Sequence, residues 1–165
     1  MARLFVAVWP SDEVVAALRA LRRKDQRGVR FVDPERWHVT LRFLGEADPE
    51  DASAALDQAT LPAARARFGP AVDVLRDRAL VVPVSGLDGL AGAVRDATAH
   101  IGEPPSRRRF VGHLTLARTK PGTVMPDALG AMVQAEEDVA EVALVESRLE
   151  RDHARYTTLA TWPAG

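Results

Sequence analysis

Apolar residues along this chain recur in two rhythms, and the switching between them predicts an α+β protein. Arg3 to Trp9 is a β-branched and aromatic run ended by Pro10, the pattern of a buried strand. Ser11 then supplies an N-cap, with Asp12 and Glu13 in the first turn. Val14, Val15, Leu18 and Leu21 recur at helical spacing and predict a helix that continues to Gly28. Arg30 to Val32 reads as a short extended piece, and Asp33-Pro34 as a turn into a strand over His38 to Gly45. An Ala-rich stretch from Pro49 to about Thr60, anchored by Leu56, predicts a second helix that Pro62 stops. From Ala71 the period becomes two: Val72 and Val74, then Leu80 to Val84, predict two strands with Arg76-Asp77 as a hairpin turn. Leu87, Leu90, Val94 and Ala97 mark one side of a third helix from Asp88 to Ile101, with Gly102 at its end. A polar loop, Glu103 to Arg109, leads to a strand that starts near Phe110 and ends at Pro121-Gly122. A short fourth helix is expected over Asp127 to Glu137. Strands over Val139 to Leu149 and Tyr156 to Trp162 follow, joined by a charged loop around Arg151 to Arg155.

Composition narrows the class. A chain of 165 residues, 47% hydrophobic and 27% charged, fits one globular domain or two small lobes sharing a sheet system, so a single two-lobed domain over 1–165 is expected. The 22 basic and 23 acidic residues leave a net charge of −1, which gives no global field for a polyanion or an anionic membrane. Any nucleic-acid contact must be local. The absence of cysteine excludes disulfides, thiol nucleophiles and cysteine-ligated zinc. The apolar start, MARLFVAVWP, is too short to span a membrane and lacks the features of a signal peptide. The expectation is a cytoplasmic monomer without a membrane partner.

The chemistry concentrates in two similar stretches, HVTLRFLG from His38 to Gly45 and HLTLART from His113 to Thr119, one in each half of the chain. Each places a histidine and a threonine one apolar residue apart, so on a strand both polar groups share a face while Val39 or Leu114 points to the core. Two imidazoles with ordinary pKa values of about 6.5 can serve as acid and base near neutral pH. A hydroxyl beside each can donate to an oxyanion. Five positions after each histidine stand Phe43 and Arg118. On a regular strand that offset puts them on the face opposite the histidines, so to join the site the strand must end, twist or bulge there, or the side chains must reach around its end. Neither histidine has a carboxylate or cysteine companion nearby in sequence, so no metal is expected. His100 and His153 read as structural. The run Arg107, Arg108, Arg109 reads as a solvated loop that can also attract a phosphate backbone.

These two stretches, with RLFVAVW at the start, ESRL at Glu146 to Leu149 and ARY at Ala154 to Tyr156, resemble the two-histidine phosphoesterase superfamily and its tandem His-x-Thr motifs. Within it the chain is most similar to the bacterial and archaeal RNA 2′,3′-cyclic phosphodiesterases, historically called 2′-5′ RNA ligases. Gly112 stands where that family often has proline before the second histidine. The resemblance implies two pseudo-symmetric lobes of antiparallel sheet with outer helices and an active-site cleft between them. It implies metal-independent hydrolysis of a terminal 2′,3′-cyclic phosphate to a 2′-phosphate, with no cofactor. The implied partners are RNA or oligonucleotide 3′ ends bearing the cyclic phosphate, and nucleotides. His113 would activate water and His38 protonate the leaving 3′ oxygen, or the reverse. Thr40, Thr115 and Arg118 would bind phosphate, and Phe43 would stack on the terminal base. Tyr156 and Arg148 read as architectural. Three rivals stand beside this reading. One is the same site run as a 2′-5′ ligase, another is a nucleotide or RNA-end binding module with little turnover. The third is a phosphodiesterase for a small cyclic phosphate or 2′,5′-linked oligoadenylate.

Overall fold

Alternating apolar runs organise most of this chain as sheet. The computed structural model describes residues 1–76 and 78–165, and among them the chain forms ten strands and three α-helices. The strands are β1 (Ala2–Val8), β2 (Val29–Phe31), β3 (Val39–Ala47), β4 (Arg65–Phe68), β5 (Asp73–Leu75), β6 (Ala79–Ser85), β7 (His113–Thr119), β8 (Ala135–Asp138), β9 (Glu141–Leu149) and β10 (Ala154–Pro163). The helices are α1 (Asp12–Arg19), α2 (Pro49–Asp57) and α3 (Asp88–Ala97). Antiparallel pairing runs continuously in the order β10-β9-β1-β3-β7-β6-β4-β8, with β2 also paired to β7 and β5 to β6.

The sheet divides into two lobes at its thinnest join, where β3 and β7 share the single pair Val39 and Leu114. One lobe holds β1, β3, β9 and β10, and the other holds β2 and β4 to β8. The lobes are therefore not the two halves of the sequence, although each half carries one motif. The C-terminal hairpin β9-β10 completes the N-terminal β1-β3 sheet. The helices are exchanged in the same sense: α1 lies against β8, whereas α3 lies against β3 and α2 against β10. Leu4, Val6, Leu41, Leu44 and Leu144 of the first lobe and Leu80, Val82, Leu114 and Leu116 of the second point into one continuous core under these helices. The opposite faces of the two sheets line the groove, and on the first lobe that face carries a smaller cluster of its own, Phe5, Ala7, Ala143 and Val145 with Trp9 and Tyr156.

Local chemistry explains the helix ends. Ser11 Oγ accepts from the Val14 N–H at 3.3 Å, and Val14 and Leu18 fill the buried side of α1. The helix stops at Arg19 rather than continuing to Gly28, because the charged run after Leu21 has no apolar stripe to bury. A bridge between Gln26 and Val29 instead turns the chain into β2. The α2 and α3 helices also end about one turn before their expected limits.

The expected helix over Asp127 to Glu137 does not form. The Gly130 N–H donates to Val72 O, the Val72 N–H to Ala131 O and the Val133 N–H to Pro70 O, and Ala135–Asp138 pairs with β4 as strand β8. Ala131, Val133, Ala135 and Val139 alternate inward, a period of two that the alanine content of the segment masks. Strand β4 itself, four residues with only Ala66 and Phe68 buried, was not expected from the pattern. The turn expected at Arg76-Asp77 includes Asp77, which lies outside the described residues.

Candidate functional site

The site forms where the two motif strands meet. Antiparallel pairing of Val39 with Leu114, extended one position each way, sets Thr40 beside His113 and His38 beside Thr115. Val39 and Leu114 are buried, so the four flanking side chains share the opposite, groove-lining face. The tertiary structure thus brings together, in one crossed square, the two histidines and two threonines that the sequence singles out.

Both histidines are held the same way. His38 Nδ1 lies 2.7 Å from Arg36 O, and His113 Nδ1 lies 2.7 Å from Val111 O. A carbonyl only accepts, so each Nδ1 carries the hydrogen and each Nε2 is left for chemistry. The acceptor lies two residues upstream in both cases, and the local chain is fixed accordingly. Before His38, a short 3-10 turn at Pro34–Arg36 leads to Trp37, which is 1% exposed and anchors the segment in the core. Before His113, Gly112 packs so tightly on the Val84 carbonyl that a Cβ would collide with it, and Gly112 O accepts from the Val84 N–H. The departure from proline at this position thus has a packing reason.

The two rings differ in their surroundings. Phe5, Trp9 and Tyr156 enclose His38, with ring centroids at 4.9, 5.5 and 5.2 Å. The Trp9 Nε1 donates to Thr158 Oγ1 at 3.0 Å, which holds this aromatic wall to β10. Burial lowers the His38 pKa from its ordinary value, partly offset by the bond to Arg36, and the charges of His113 and Arg118 lower it further. The bond from His113 lies in a more open setting.

A pair of matching bulges solves the problem of the five-residue offset. Along β1 and β3, Ala7 pairs with Thr40 and Val6 with Arg42, so Leu41 is the extra residue. Along β6 and β7, Val81 pairs with Thr115 and Leu80 with Ala117, so Leu116 is the extra residue. Each bulge reverses the alternation just past the threonine. Two successive residues, Leu41-Arg42 and Leu116-Ala117, turn inward, and Phe43 and Arg118 emerge on the face of the histidines. Phe43 pairs with Phe5, and the Arg3 guanidinium stands 4.9 Å from the Phe43 ring centroid.

The same bulge reassigns Arg42, to which the sequence reading gave no role. Unbroken alternation would put it in the groove beside Thr40; instead it is 6% exposed on the core side. Its guanidinium donates to the carbonyls of Phe43 at 2.8 Å, Thr98 at 3.2 Å, Ile101 at 3.1 Å and Glu103 at 2.8 Å. The C-terminal end of α3 is therefore tied to the motif strand. A lone charge inside an apolar run was the only signal for it in the sequence.

The remaining candidates lie outside the square. His153 sits in the β9-β10 turn, 3.9 Å from Glu150, and His100 follows α3. Arg107, Arg108 and Arg109 are exposed on the loop before His113. Arg148 pairs with Glu146 at 3.0 Å. Among the described residues, no group of three or more His, Cys, Asp or Glu is arranged to hold a metal ion, and no helix is long and apolar enough to cross a membrane.

Comparison with known proteins follows this geometry. A family model described as LigT like Phosphoesterase matches residues 8–70, which include the first motif strand. An RNA 2′,3′-cyclic phosphodiesterase of Aeropyrum pernix is 30% identical over 149 residues, covering 79% of this chain and 84% of that protein. The crystal structure of a Thermus thermophilus protein superposes with a TM-score of 0.82 at 30% identity, covering 98% of this chain and 97% of the other. That of Escherichia coli LigT complexed with 3′-AMP superposes with a TM-score of 0.76 at 28% identity, covering 99% and 98%.

Proposed function

The chain belongs to the LigT-like phosphoesterase family, and from that premise we propose that it opens 2′,3′-cyclic phosphate ends of RNA to 2′-phosphates without a metal ion. The observation that carries this reading is the crossed square of His38, Thr40, His113 and Thr115, with Nδ1 of both rings committed to backbone carbonyls.

In this reading the His113 Nε2 takes a proton from water, the resulting hydroxide attacks phosphorus, and the bond to the 3′ oxygen breaks. His38, entering as the imidazolium, gives its Nε2 proton to that oxygen. The ring nearer open solvent thus handles water, and the ring whose burial disfavours charge is the stronger acid. The Val111 carbonyl holds the His113 Nδ1 hydrogen, which leaves Nε2 to take the proton from water. Thr40, Thr115 and Arg118 hold the non-bridging oxygens as charge builds on them. Phe43 stacks on the terminal base without reading its identity. The name and the 3′-AMP ligand of the relatives fit an RNA end as substrate.

The test is incubation of purified protein with EDTA and an RNA oligonucleotide ending in 2′,3′-cyclic phosphate, with the product end identified by mass and phosphatase sensitivity. A 2′-phosphate is expected. A 3′-phosphate reverses the leaving oxygen, and absence of product overturns the reading.

A further inference from the structure

Arg30 plays no part in the reading above, yet backbone pairing makes it the cross-strand partner of Arg118. In β2, Val29 and Phe31 pack against the core, so Arg30 takes the other face, the one that carries His113, Thr115 and Arg118. One edge of β7 is taken by β6, so β2 lies on the same edge as β3, toward the first lobe. Cross-strand partners hold their Cβ atoms about 4.5–5.5 Å apart, and like charges placed so repel. Among the described residues neither guanidinium has a carboxylate within ion-pair distance. Arg30 Nη1 instead donates to Asp152 O at 2.8 Å, in the turn between β9 and β10. A side chain rooted in the second lobe is thereby aimed across the groove to the first. The carbonyl uses one of five N–H groups and neutralises no charge. Two adjacent cations on a groove face, without a carboxylate partner among the described residues, are relieved by an anion that reaches both.

We propose that Arg30 and Arg118 form a two-phosphate clamp, in which Arg118 holds the terminal phosphate and Arg30 the phosphodiester that joins the terminal nucleotide to the one before it. This rests on the reading of the site as one for RNA ends. It makes an oligonucleotide of two or more nucleotides the preferred ligand over a mononucleotide, because only the longer chain carries the second phosphate. Arg30 is well placed for this, since the fork of an arginine suits a phosphodiester and its stem is already oriented by the Asp152 carbonyl.

Calorimetry on the full chain tests the clamp with two product-like ligands, adenosine 2′-phosphate and the diadenylate ending in a 2′-phosphate. In the wild type the dinucleotide is expected to bind about tenfold tighter. In Arg30→Gln that gain should fall to about onefold, and the slope of log affinity against log salt for the dinucleotide should shrink by about 0.7. Arg30→Lys, which keeps the charge without the fork, should recover part of the gain. An unchanged gain in Arg30→Gln overturns the clamp, as does an equal loss for both ligands. Wild-type turnover of cyclic-phosphate RNA, measured in parallel, separates the two ideas. Its absence overturns the phosphoesterase reading while binding still decides the clamp, and failure of the wild type to bind either ligand overturns the clamp while turnover still decides the phosphoesterase reading.

Discussion

At the scale of the residue, the site depends on two imidazoles of the same tautomer in unequal settings. Removing Nε2 at either position, as in His38→Ala or His113→Ala, should lower kcat by about a hundredfold or more while the far-UV circular dichroism is unchanged. Unaltered turnover in the double variant would exclude the mechanism. The profile of kcat/KM against pH should be bell-shaped. With His38 as acid, activity falls as His38 loses its proton, and its lowered pKa puts that limb below the ordinary value of about 6.5. NMR titration of the ring locates it directly. The same shift bears on stability. Because the folded state holds the His38 proton more weakly than the unfolded chain, this residue's contribution is present in full above pH 6.5. It is lost as pH falls through the lowered folded value. Denaturant melts at successive pH values should show a decline on acidification that is smaller in His38→Gln.

At the scale of the element, the two bulges do what no single residue does, since the extra residue just past the threonine in each strand decides which side chains the groove receives. Phe43→Leu keeps an apolar side chain but loses the stacking face. Stacking is worth about 1–3 kcal/mol per base, so KM for an RNA end should rise by roughly fivefold or more with little change in kcat. Arg42 is the counterpart on the core side. Arg42→Met removes the donors to the carbonyls of Phe43, Thr98, Ile101 and Glu103 and should destabilise by about 3 kcal/mol, a fall in Tm of roughly 10 °C. A fall of under 2 °C in calorimetry would show that water replaces the arginine. Gly102 supports the same corner, with a φ of +63° and its α-carbon against the Leu44 carbonyl, where a side chain has no room.

At the scale of the molecule, the exchange of strands and helices between the lobes ties the ends of the chain together. The first lobe needs β9 and β10 to flank β1, and the wall around His38 includes Tyr156 from β10. We propose that residues 1–165 behave as one two-lobed domain. Thermal unfolding should be a single cooperative transition, with calorimetric and van't Hoff enthalpies in agreement. A fragment of residues 1–70 should remain unfolded by NMR, since it exposes both edges of the β1-β3 pair. A dispersed spectrum from that fragment would show that the lobes follow the sequence halves after all.

By itself the sequence determined what depends on near neighbours. Strand β1, the helix start at Ser11, the motif strands and the sharing of a face by each His-Thr pair follow from side-chain periodicity and capping over a few residues. The repeated motif also carried the family, because two copies of one rare pattern are specific where one is not. Tertiary structure decided whatever depends on a distant partner. The alanines of 127–137 favour a helix locally, but hydrogen bonds to 70–72 and to β4 are available only in the folded sheet and outweigh that preference. A bulge is defined by two strands together, so no inspection of HVTLRFLG alone shows that Leu41 is the extra residue, that Arg42 turns inward or that Phe43 turns out. The neighbour of Arg118 is likewise a matter of register between strands far apart in the chain, and only the assembled sheet places Arg30 there.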